Sequence, residues 1–155
     1  MEIPKAGVSI ETRFMSAIRL TRAFFDSNVL IYADDKGEPE KQRIARELIE
    51  RYFSLGYGVV SVQVLQEYFN TLTRKLKADP SLTRQKVEQL GKFVTNITMP
   101  EDVLMAIDVF RLHGLSFWDS MIVRSAKQAD CRILFSEDMQ HGRTIDGLQI
   151  VNPFA

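Results

Sequence analysis

A single cysteine, Cys131, is all the thiol this 155-residue chain offers, so no intramolecular disulfide can form. Histidine is nearly as scarce, with two residues, and no Cys/His cluster exists to hold a soft or borderline metal. Net charge is missing as well. The 20 basic and 20 acidic side chains cancel, so no global field draws in nucleic acid or an anionic membrane, and any such partner needs a local basic patch. No apolar run is long enough to span a bilayer, and the stretch from Met1 to Thr21 lacks the continuous apolar core of a secretory signal. Internal repeats and low-complexity tracts are also lacking. These absences point to a reducing, cytoplasmic setting away from membranes, with Cys131 a small buried core residue.

What is present suits one globular domain with a real core, since 45% of residues are hydrophobic and 26% charged. Residues 1–22 read as an extension: Pro4 and Gly7 break any early pattern, and only 13–22 has loosely helical spacing. A single domain is expected over 23–155. Short apolar runs predict strands at 23–26, 58–61, 131–135 and 148–151. Between them, helical spacing predicts helices at 28–33, 38–55, 62–76, 83–96, 100–113 and 120–129. Ser61 and Ser116 are the expected caps of two of these helices, with Asp119 completing an acidic capping box. The expected apolar stripes include Val62, Leu65, Phe69 and Leu72 on one helix, and Val103, Leu104, Ile107 and Phe110 on another. Strands alternating with helices argue for an α/β sandwich of three layers, a mainly parallel sheet with helices on both faces.

The chain is organised around residues 23–33, where an apolar run meets Asp26, Ser27 and Asn28 before apolar residues resume. An isolated Asp-Ser-Asn most often just caps the next helix. Three further acids in comparable positions change the balance. Asp26 and Asp138 sit at carboxyl ends of predicted strands, Asp119 in a first helical turn, and Glu67 about a turn and a half into another helix. In a parallel sheet all four can point into one crevice at the carboxyl edge. Crowded carboxylates repel, and burial raises their pKa values further, so such a cluster needs protons or a cation. Hard oxygen donors select Mg2+ or Mn2+ over zinc. An ion of that kind serves hydrolysis of a phosphodiester by activated water, without a covalent protein intermediate.

Four motifs then carry a family resemblance: Phe24-Phe25-Asp26-Ser27-Asn28-Val29-Leu30-Ile31-Tyr32, Gln66-Glu67-Tyr68-Phe69-Asn70, Phe117-Trp118-Asp119-Ser120, and Leu134-Phe135-Ser136-Glu137-Asp138-Met139. In this order and spacing they resemble a PIN-domain nuclease, most closely the VapC type of toxin–antitoxin ribonuclease. The resemblance spans about residues 23–155. It implies a Rossmann-like, five-stranded, mainly parallel sheet and a magnesium- or manganese-dependent endoribonuclease site. It further implies RNA as substrate, frequent homodimers, and inhibition by a cognate VapB-like antitoxin lying across the groove. By motif position, Asp26, Glu67, Asp119 and Asp138 are implied as metal-binding catalytic acids, and Asn28 and Ser136 as polar residues that support them by hydrogen bonding. Two departures stand out. Residues before the first acid are more numerous than usual, and Ser136-Glu137 precedes the fourth acid where many relatives have Thr and another residue.

Other residues carry blander expectations. Asp34, Asp35, Asp102 and Asp108 read as turn, helix-start or surface acids, and Asp130 as a helix end. His113 reads as a helix C-terminal residue and His141 as surface loop. Trp118 could stack a base, but a lone Trp beside Phe117 and an apolar helix reads as core. Arg74, Lys75, Lys77, Arg84, Lys86 and Lys92 form either a phosphate-binding patch or a solvated face. The competing functional reading is a catalytically idle PIN-like module that binds RNA or protein, against which the complete set of mutually repelling acids argues.

Overall fold

The structure is a computed structural model that describes residues 20–155. Most of the expected extension at 1–22, with its loosely helical stretch at 13–22, lies outside the described residues. Five strands form one sheet: β1 (Ala23–Phe25), β2 (Gly58–Val59), β3 (Ile133–Phe135), β4 (Thr144–Ile145) and β5 (Leu148–Val151), in the order β2-β1-β3-β5-β4. Every pairing is parallel except β4 with β5. Among the described residues six helices accompany them: α1 (Ser27–Tyr32), α2 (Pro39–Ser54), α3 (Val62–Arg74), α4 (Pro80–Gly91), α5 (Pro100–His113) and α6 (Phe117–Gln128). This is the mainly parallel α/β architecture that the alternating pattern predicts.

β1 and β3 read Ala-Phe-Phe and Ile-Leu-Phe with every residue buried, as central strands covered on both faces require. Aromatic packing anchors the sheet's carboxyl edge. The Phe25 ring lies 5.7 Å from Tyr52 and 5.2 Å from Phe135, and Tyr52 lies 5.3 Å from Phe135. Cys131 is buried, as expected. No described helix is long and apolar enough to cross a membrane.

Several expectations change. The fifth strand, which the family resemblance implies but the apolar runs do not locate, is β4; it closes a hairpin through Asp146 and Gly147, whose φ angles of 46° and 86° are those of a tight hairpin turn. β2 is only two residues long, and Val60 continues it as a single parallel bridge to Val94. That bridge is why the helix expected at 83–96 ends at Gly91. Its start moves back to Pro80, because the Asp79 carboxylate accepts from Leu82 N at 2.9 Å. α6 likewise begins at Phe117 instead of Ser120, directly after its Ser116 cap.

Two helices are rotated relative to their expected faces. α3 buries Val64, Tyr68 and Leu72, while Val62 and Phe69 are exposed. Tyr68 turns inward because its hydroxyl finds Asp34, donating at 2.7 Å to Oδ2. On α5, Leu104, Ile107 and Phe110 are exposed, and Asp102 and Ala106 face inward. Asp102 is a helix-start acid but not a surface one. Its carboxylate accepts from Met99 N at 2.8 Å and from Arg124 Nε and Nη2, both at 2.9 Å, which ties α5 to α6. The Met99 and Arg124 donors hold its pKa below the ordinary aspartate range. Asp102→Ala, which strands the Arg124 guanidinium, is expected to cost about 3 kcal/mol in urea unfolding; a loss below about 1 kcal/mol would show the bridge to be incidental.

Candidate active site

Phe25 pairs with Phe135 across β1 and β3, so the residues that follow, Asp26 and Ser136, leave the sheet side by side. Asp26 is 4% exposed. Its Oδ1 accepts from Ser27 N at 2.8 Å and so caps α1. Its Oδ2 accepts from Ser136 Oγ at 2.7 Å and from Asn28 Nδ2 at 3.4 Å. Capping and membership of the acid cluster, which compete as readings of the sequence, are served by separate oxygens of one carboxylate.

Asn28 joins three elements of the site. Its amide also donates to Asp138 Oδ2 at 2.9 Å, and its carbonyl oxygen accepts from Glu137 N at 3.2 Å. Glu67 reaches the cluster from α3, where Oε2 accepts from Ser27 Oγ at 2.7 Å and Oε1 from Gln63 Nε2 at 3.0 Å. Asp119 lies in the first turn of α6, its backbone N–H donating to Ser116 Oγ at 3.1 Å. The geometry thus brings together all six residues expected at the site: Asp26, Asn28, Glu67, Asp119, Ser136 and Asp138.

The acids repel one another. Burial pushes Asp26 from 3.8 up to about 6, opposed by the Ser136 and Ser27 hydrogen bonds and reinforced by the charges of Glu67 and Asp119. Burial also raises Asp119, with Asp138 and Glu67 adding repulsion. The donors are all hard oxygens, which suits a magnesium- or manganese-like cation. They are not drawn up into a finished coordination sphere: among the described residues no group of three or more His, Cys, Asp or Glu is arranged to hold an ion.

Three supporting residues were not singled out from sequence. Ser27 and Gln63 hold Glu67; the spacing of Gln63 four residues before Glu67 on one helix face is a legible sign. Lys41 of α2 is the third. It forms an ion pair with Glu137, donates to Tyr32 Oη at 3.2 Å, and lies 4.6 Å from the Tyr32 ring centroid. Glu137 is therefore engaged with α2, while its neighbour Asp138 bonds into the acid cluster. The other candidates stay apart. His141 is exposed, and its Nδ1 accepts from Asn152 N at 3.0 Å. In the basic group Lys86 pairs with Asp34 and Arg84 with Glu88, which favours a solvated face for those two. Trp118 departs from expectation: it is 64% exposed, not core.

A carboxyl held at about 6 when folded, against 3.8 in the free side chain, binds its proton more tightly in the folded state. Stability then falls as pH rises from about 4 to beyond 6, by up to about 3 kcal/mol at this group. Asp26→Asn is therefore expected to raise the melting temperature of the metal-free protein at pH 8 and to leave it nearly unchanged at pH 4. Equal effects at both pH values would refute the electrostatic account.

The PIN domain family model matches residues 23–145. Among solved structures, a toxin–antitoxin complex from Klebsiella pneumoniae is similar, with 18% identity, a TM-score of 0.60, and coverage of 84% of this chain and 97% of the other. At that identity the likeness concerns the fold. No curated protein matches the sequence. With the family match spanning most of the chain, and the sheet and converging acids in accord with it, the protein belongs to the PIN domain family.

Proposed function

We propose that the chain is a metal-dependent endoribonuclease and the toxin of a VapBC-type toxin–antitoxin pair, acting in the cytoplasm. The observation that carries this reading is the convergence of Asp26, Glu67, Asp119 and Asp138 at the carboxyl edge of the sheet, in a family whose members are generally nucleases. The similar Klebsiella complex supports a toxin role and an antitoxin partner.

On this reading Asp26, Glu67, Asp119 and Asp138 would hold Mg2+ or Mn2+. When bound, the ion would supply activation of water and neutralise charge that develops on the phosphate. Water adds across a P–O bond, leaving one phosphate end and one hydroxyl end. The protein's own part is positioning. Ser136 and Ser27 N fix the two oxygens of Asp26, Ser27 and Gln63 orient Glu67, and Asn28 holds Asp138 in line with Asp26. Burial of Asp26 keeps a proton competing for the site, so metal occupancy rises with pH through the range near 6.

A homodimer fits the exposed apolar side chains of α5. Val103, Ile107 and Phe110 recur at a spacing of four and then three residues, and Ile107 and Phe110 are exposed.

The decisive experiment maps new RNA 5′ ends in cells after brief induction, comparing the wild type with Asp119→Asn. New ends with the wild type alone are expected, and they name the substrate. Asn28→Ala and Ser136→Ala should keep cleavage, weakened about 10- to 100-fold. No new ends from soluble, folded wild type would reject the nuclease reading and favour a binding module.

A further inference from the structure

We propose that Trp118 is a stacking platform for one base of RNA beside the acid cluster, and so a substrate-binding residue that favours single-stranded over double-stranded RNA. The inference rests on the ribonuclease reading above. Trp118 is the one tryptophan of the chain and is 64% exposed, although a ring of this size ordinarily buries most of its surface. It directly precedes Asp119 in the first turn of α6.

Its backbone is held in place. The Trp118 carbonyl oxygen accepts from Gln63 Nε2 at 3.3 Å, and the same amide donates to Glu67. The Phe117 ring packs edge-on against the indole with centroids 5.1 Å apart. The peptide that carries the ring is therefore tied to Glu67 through the Gln63 amide and runs directly into Asp119, so the exposed indole stands at the border of the cluster.

The charge of the cluster favours such a platform. Among the described residues, the hydrogen bonds of Asp26, Glu67, Asp119 and Asp138 run to Ser, Asn, Gln and backbone groups, none of them cationic. The nearby Lys41 is engaged with Glu137. With zero net charge as well, no global field adds to RNA affinity, and the protein's own side chains at the cluster repel phosphate until a cation is bound. Stacking on an aromatic face needs no charge and tolerates any base, and single-stranded regions are where bases can be splayed out to reach it.

Trp118 supplies its own reporter, since all tryptophan emission comes from it. The full-length Asp26→Asn protein, with cleavage disabled, is titrated with a fluorescein-labelled, mixed-sequence single-stranded RNA of about ten nucleotides. Binding should quench Trp118 emission. In the same background Trp118→Ala should weaken binding about tenfold, Trp118→Phe should restore most of it, and double-stranded RNA of equal length should not quench. RNA that binds without quenching and equally well to Trp118→Ala overturns the proposal, as does RNA that does not bind at all. A Trp118→Ala change that splits a dimer in sedimentation while RNA affinity holds also overturns it, assigning the ring to a protein interface. The nuclease reading stands or falls separately on end mapping: quenching without cleavage keeps the platform and rejects the nuclease.

Discussion

Asp26 places a carboxylate at the end of a fully buried strand, where 4% of its surface meets water, and the residues around it have to make that tolerable. The Ser27 N–H and the Ser136 hydroxyl do so on opposite oxygens. Both donors exist because of where the backbone goes. β1 turns straight into α1, which presents a free N–H, and β3 runs parallel in matching register, which delivers Ser136 alongside. The residue at the heart of the site is thus held by the same features that hold the two central strands together.

Around that centre the structure spreads a surplus of negative charge over small neutral donors. A lysine within the cluster would neutralise it permanently and leave nothing for a cation to do. Asn28 instead touches Asp26, Asp138 and the Glu137 backbone with one short side chain, keeping the acids near one another without adding a countercharge. The lysine that does approach, Lys41, meets Glu137 and stays at the border. The arrangement resembles a socket more than a salt-bridge network.

Much of this was legible because it depends on local order. The caps Ser61 and Ser116, the buried runs of β1 and β3, and the acids at strand ends all follow from a few adjacent residues. What was not legible depends on contacts far apart in sequence. Tyr68 turns inward for Asp34, Asp102 is buried with Arg124, and Trp118 is exposed while its carbonyl meets Gln63 of α3. The β4–β5 hairpin is a different case: Asp146-Gly147 before the apolar run of β5 is a local hairpin signal that the sequence does carry.

The two rims of the sheet have a consequence for how partners can approach. One rim is β2, two residues long and extended by a single bridge to Val94; the other is β4, also two residues long and folded back in a hairpin. Neither offers the row of open backbone N–H and C=O groups that lets another chain add itself as a strand. Recognition is pushed onto side chains and helix faces, where a few substitutions can change the partner without disturbing the sheet. A protein built this way can diverge in whom it binds while its acid socket stays the same.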